Sequence, residues 1–237
     1  MRTHQAVIAV LINLAMAGTL VGLLVRGRAR QYLTFVAYLC AFLTCETMVV
    51  VAPKRFYTPE FWMAKQALYD ILRTTVALEM AWRVVRSFPG ALRTARWLAL
   101  ALLGGATLLL ASGPHRAPYN VVFTWQPRVV ACTAMLFTLT ALLVAWYHLP
   151  IRAFHRAIMG GFAIYSAFFA TLLSLLQRWS WKYRVVLSAI DTLVFLAVAL
   201  WWMRTAWTVQ EEVMPQIDDF APRPATEGVP EPKGAAA

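Results

Sequence analysis

The chain has 237 residues, 60% of them apolar or aromatic and only 14% charged, with a net charge of +11. A soluble domain carries about 45–50% apolar and about 25% charged residues. The composition excludes a water-soluble globule, a disordered chain, a collagen-like chain and a disulfide scaffold, and leaves an all-α membrane protein.

A membrane-crossing helix needs about 20 predominantly apolar residues. Seven segments meet this or nearly so: residues 6–25, 32–52, 61–85, 92–112, 129–148, 157–176 and 185–203. The expectation is a seven-helix transmembrane bundle over residues 1–208, with short connections that make sequence neighbours antiparallel. The first segment, with Arg2 before it and Ala15-Met16-Ala17 inside it, imitates a cleavable leader. Its apolar run continues to Val25, so it reads as an uncleaved first helix. The fourth is the weakest, because Arg93 and Arg96 must snorkel to complete it. Residues 113–128, with Gly113, Pro114, Pro118 and Pro127, read as a loop. Residues 209–237 are acidic and proline-rich and bury no core, so a disordered cytoplasmic tail is expected there. A docking tail for a basic protein partner is the sharper reading of the same residues.

The ten tryptophans all fall near expected helix ends, which reads as an aromatic belt. Cys40, Cys45 and Cys132 lie in apolar segments and make no CxxC pair, so they read as small buried side chains. The basic residues form short clusters flanking apolar segments, which points to lipid head groups and not to nucleic acid. One basic residue precedes the first segment and Arg26, Arg28 and Arg30 follow it. That asymmetry places the N-terminus outside and the C-terminus in the cytoplasm. Gly18 and Gly22, and the stripe Gly160, Ala163, Ala167, Ala170 and Ser174, present thin helix faces for close packing. Packing within the chain is the default, and a dimer or a larger complex the alternative.

The informative feature is the set of ionisable residues inside the helices. The third segment carries Lys65, Gln66, Tyr69, Asp70, Arg73, Glu79 and Arg83. Lys65, Tyr69, Arg73, Glu79 and Arg83 share an arc of about 120°. This predicts a central helix with its polar stripe turned away from lipid. Counting about 1.5 Å per residue from one membrane face, Lys65 lies roughly 6 Å deep, Glu46 and Asp191 about 9 Å, Asp70 about 13 Å and Arg73 about 18 Å. Glu46 is expected to pair with Lys65, and Arg73 with Asp70 or Asp191. Arg128 and Arg178 are candidates for the rim of the same mouth. The expectation is a polar pocket in the outer half, either a ligand site or ion pairs that fix helix register. Glu79 and Arg83, one turn apart near the other end, read as a snorkelling pair.

No HExxH, GxSxG, Walker or GxGxxG motif is present. None of His4, His115, His148 and His155 falls at a helix centre, and the seventh segment has no lysine. No haem, retinal, metal or other cofactor is expected, and the sequence points away from an enzyme. The first reading is a sensor- or transducer-like module with a ligand pocket. The alternatives are a structural subunit of a larger membrane complex and a small-solute or proton-coupled transporter. Against transport stand the lack of an internal repeat and of a mid-membrane proline break. A lipid-modifying enzyme using Asp70 and Asp191 as acid and base is a further reading.

Four stretches carry a resemblance: Phe35-Val36-Ala37-Tyr38-Leu39, the long third segment with Glu79 and Arg83, Arg93-Thr94-Ala95-Arg96-Trp97-Leu98, and Gly160-Gly161-Phe162-Ala163. In these, residues 30–205 resemble a widespread group of uncharacterised bacterial seven-helix membrane proteins of acidobacterial type. The resemblance implies seven helices in a bacterial inner membrane and no particular activity. The fifth segment lacks the mid-helix arginine–glutamine pattern associated with that group.

Overall fold

In the computed structural model the described residues are 3–86, 120–146, 151–179 and 183–208. They form six long helices: α1 (Thr3–Val25), α2 (Leu33–Val51), α3 (Pro59–Arg86), α4 (Asn120–Trp146), α5 (Ala153–Trp179) and α6 (Arg184–Thr208). The expected fourth helix at 92–112, the loop at 113–119 and the tail at 209–237 lie outside the described residues. Among the described residues there is no strand.

Among the described residues five helical stretches are long and apolar enough to cross a membrane: Val7–Val25, Ala29–Val51, Gln126–Trp146, Ala153–Leu176 and Val185–Thr208. The chain is therefore a helical, multi-pass membrane protein. α3, at 28 residues, has the length but not the uniform apolarity. Its exposure pattern is inverted instead. Tyr69, Arg73, Val76, Ala77 and Met80 are buried, while Leu68, Ile71, Leu78 and Trp82 face outward. A helix in water hides its apolar stripe. This one turns Lys65, Asp70, Arg73 and Glu79 inward beside Val76, Ala77 and Met80 and offers Leu68, Ile71 and Leu78 to the surroundings, as hydrocarbon requires, while Arg83 near its end is exposed.

The six described helices form a ring. α1 packs on α2, α2 on α3, α3 on α4, α4 on α5 and α5 on α6, and α6 closes onto α1. Among the described residues α3 touches α2, α4 and α5. α1 and α6 run parallel, since Gly18 meets Met203 and Gly22 meets Ala206 and Trp207. Aromatic side chains fill the middle. Phe35 and Phe162 both meet Trp202, at 5.1 and 4.7 Å between ring centres, and Phe137 stacks on Phe162 at 5.0 Å.

Trp202 corrects the belt reading. It is wholly buried, and its indole N–H donates to the Ala157 carbonyl at 3.0 Å. Gly161 makes the space: a Cβ there would lie 2.4 Å from the Trp202 Nε1. Trp207 also donates inward, to the Gly18 carbonyl at 3.0 Å. The GxxxG pair thus serves the α1–α6 contact. In the small-residue stripe of α5, Gly160 meets Trp201, Ala163 is half-buried and Ala167 is exposed.

Other boundaries moved. α4 begins at Asn120, inside the stretch read as a loop, and holds Pro127 in its third turn. Proline there lacks the N–H that an interior position donates, but the turns on either side continue the helix. α5 and α6 each run past the expected ends, because Arg, His and Trp at their ends can stay helical while reaching the interface. α1 stops at Gly27, whose φ of +67° permits a left-handed turn. Gly27 and Arg28 donate back to the carbonyls of Leu24 and Leu23, capping the helix. Cys45 is buried, but Cys40 faces outward, which departs from the expectation for it.

Candidate functional site

α2, α3, α5 and α6 bring a cluster of polar groups together in the half of the bundle where α2 ends and α3 and α6 begin. The outermost pair is Lys65 on α3 and Glu46 on α2, with Nζ 2.9 Å from Oε1 and both side chains half-buried. The Lys65 ammonium also lies 5.9 Å from the centre of the Tyr69 ring. Tyr69 donates its hydroxyl to the Phe42 carbonyl, tying α3 to α2.

Deeper along α3 stands Arg73, 5% exposed. It lies 14 residues past Pro59, so roughly 21 Å along a helix of about 42 Å. Its Nη1 is 3.5 Å from Asp70 Oδ1, one turn back on the same helix. Gln66 donates to that carboxylate at 3.3 Å. The guanidinium lies over the ring of Tyr165 on α5, 5.6 Å from its centre. Tyr38 on α2 faces it as well. Asp191 on α6 faces Tyr165 and Arg73. Four helices therefore converge on one cation and two carboxylates.

The cluster is incompletely satisfied. Arg73 Nε and Nη1 are buried and make no hydrogen bond, and neither does Asp191 Oδ1. An unmet donor of a buried charged group costs more than the 1–3 kcal/mol typical of a neutral one, so about 3 kcal/mol or above. Arrays whose only task is to lock helices are stable when every member is paired.

Arg128 is half-buried on α4 near the same end of the bundle, and it has a partner of its own. Arg178 lies near the end of α5 on that side; its side chain is outside the described residues. Tyr38 and Tyr165 were not singled out from the sequence. For Tyr165 a signal is present all the same: it stands near the middle of an apolar helix, away from the interface where tyrosine is ordinarily placed.

The other end of α3 carries a second group. Arg83 Nε donates to Glu79 at 2.9 Å, the pair the sequence suggested. Glu79 also accepts from Thr34 on α2 and thereby joins two helices. His155 on α5 is buried against Tyr32, with ring centres 4.6 Å apart. Between the two groups lies a dry layer. Val76, Ala77, Met80, Phe35, Phe162 and Trp202 are all at most 1% exposed. Among the described residues no three His, Cys, Asp or Glu side chains converge on a common metal position.

No family model, no curated protein and no solved structure matches this chain.

Proposed function

We propose that the chain is a sensor- or transducer-like membrane module that binds a small polar ligand at Arg73. The observation that carries this reading is the buried guanidinium with two nitrogens that make no hydrogen bond, facing an Asp191 oxygen in the same condition. Buried polar groups are ordinarily paired. Where a folded chain leaves both a donor and an acceptor open at one place, a bound molecule is the economical partner.

The dry layer favours binding over transport. A conducting or carrying path has to reach both faces, and here packed aromatic rings separate Arg73 from Glu79 and His155. The same rings supply a mechanical link. Tyr38 and Tyr165, which face Arg73, lie about one helical turn from Phe35 and Phe162, which pack on Trp202. A ligand that repositions Arg73 therefore acts on side chains that reach towards the opposite face. In this reading the chain has seven crossings and sits in a bacterial inner membrane. The arginine-rich end, with Arg26, Arg152, Arg156 and Arg204, is cytoplasmic, and the Lys65 end faces outward.

The test is thermal unfolding in lipid nanodiscs, before and after repeated detergent exchange that strips weakly held molecules. A resident ligand stabilises the folded state by mass action. Wild type is expected to melt lower after exchange, whereas Arg73→Met melts at the same temperature before and after. An equal shift in both, or none in wild type, overturns the reading.

A further inference from the structure

The open groups around Arg73 also specify what kind of molecule fits, and this inference rests on the proposed function above. We propose that the ligand is a primary amine that also carries an oxygen acceptor, the chemistry shared by amino acids, amino alcohols and the ethanolamine phosphate of a lipid headgroup.

The argument begins with charge. Lys65 and Glu46 cancel each other at 2.9 Å. Inside them stand one guanidinium, Arg73, and two carboxylates, Asp70 and Asp191. Asp70 is already held by Arg73 at 3.5 Å and by Gln66 at 3.3 Å. Among the described residues Asp191 has no ion pair, and its Oδ1 has no hydrogen bond. Among the described residues the inner cluster, one guanidinium and two carboxylates, carries one negative charge in excess. A purely anionic ligand adds a further negative charge to a low-dielectric site and is repelled by both carboxylates. The ligand must bring a cation.

The donors give the second half. Arg73 Nε donates to nothing and Nη1 has only Asp70 Oδ1 at 3.5 Å, so both can still donate to an oxygen. A bare cation, such as a metal ion or a simple alkylammonium, leaves them open. An ammonium with an N–H for Asp191 and an oxygen for Arg73 meets both demands at once.

The surroundings agree. Phe195 lies one turn beyond Asp191 on α6, and its ring is 4.8 Å from that of Tyr165 and 5.6 Å from that of Phe42. Aromatic faces beside a carboxylate favour an ammonium by cation–π attraction. The requirement for an N–H also separates primary amines from quaternary ones, which have a charge but no donor.

The experiment is calorimetric titration of the detergent-exchanged protein in nanodiscs of phosphatidylglycerol. The probes are glycine, leucine, phenylalanine and ethanolamine, with acetate and methylammonium as single-function controls. A second arm compares the melting temperature in discs containing phosphatidylethanolamine with that in discs containing phosphatidylcholine. At least one amine–oxygen probe is expected to bind tenfold or more tightly than both controls, and Asp191→Asn to remove that advantage. If the source is lipid, the soluble probes stay silent. Phosphatidylethanolamine then raises the melting temperature where phosphatidylcholine does not, and the rise is lost in Asp191→Asn.

Binding of acetate as strong as that of glycine, sensitive to Arg73→Met, overturns the amine class while the site at Arg73 stands. Silence in both arms together with an exchange-sensitive, Arg73-dependent melt has the same meaning. Silence in both arms with no such melt overturns both.

Discussion

The guanidinium of Arg73 lies over the ring of Tyr165, 5.6 Å from its centre, so a deeply buried cation of α3 rests on an aromatic face of α5. Two effects combine in that contact. The ring offers π-electron density to a cation that little water reaches, and the hydroxyl faces Asp191. The two can be separated by substitution. Tyr165→Phe keeps the ring and is expected to cost no more than about 1 kcal/mol, the net worth of one hydrogen bond. Tyr165→Leu loses the ring as well and is expected to cost a further ~1–2 kcal/mol. Unfolding by sodium dodecyl sulfate, followed by circular dichroism, measures both. Equal costs would show that the ring contributes nothing beyond its volume.

Two glycines are required for different reasons, and their alanine variants should separate them. At Gly161 an added Cβ lies 2.4 Å from the Trp202 Nε1, and Trp202 is wholly buried and held by the Ala157 carbonyl. The indole cannot yield without disturbing the aromatic centre, so Gly161→Ala is expected to cost about 1–3 kcal/mol. At Gly27 nothing lies within 4 Å of the added Cβ, but φ is +67°. Gly27→Ala is therefore limited to the left-handed backbone term, about 1–2 kcal/mol. Substituting Trp202 with Phe should relieve Gly161→Ala and leave Gly27→Ala unchanged. The same unfolding assay reads this coupling.

The Lys65–Glu46 pair is half-buried on both sides, so its coupling should be modest. Lys65→Met or Glu46→Gln alone leaves a lone charge near the membrane face, and both are expected to destabilise. The double variant should recover part of the loss. A double-mutant cycle is expected to give a coupling of about 1 kcal/mol or less, shrinking as salt is raised. A coupling that salt leaves unaltered would mean that the pair is sealed from solvent.

The sequence and the structure agree best where a single helix decides the answer. The inverted stripe of α3 was legible from Lys65, Tyr69 and Arg73, because residues three and four apart must share a face. The spacing of Lys65 and Glu46 on opposite sides of a short connection likewise set them at one depth. Contacts that depend on two helix faces meeting were not legible. Trp202 reads as an interface residue by position, and only its approach to Gly161 puts it in the core. Tyr165 reads as ordinary filling, because nothing in one sequence says that α5 presents it to α3. The start of α4 was misplaced for a local reason. Pro127 argues against a helix interior by its missing N–H, yet the helix tolerates that loss among its other turns.

The central claim is that the open groups of Arg73 and Asp191 belong to a ligand. Native mass spectrometry of the protein released from lipid nanodiscs addresses it most directly. The account predicts a discrete bound mass on wild type that is missing from Arg73→Met and from Asp191→Asn, while both variants keep the helical circular dichroism of the folded bundle. Identical spectra from wild type and both folded variants, carrying only bulk lipid, would contradict it and leave the cluster as a device for fixing helix register.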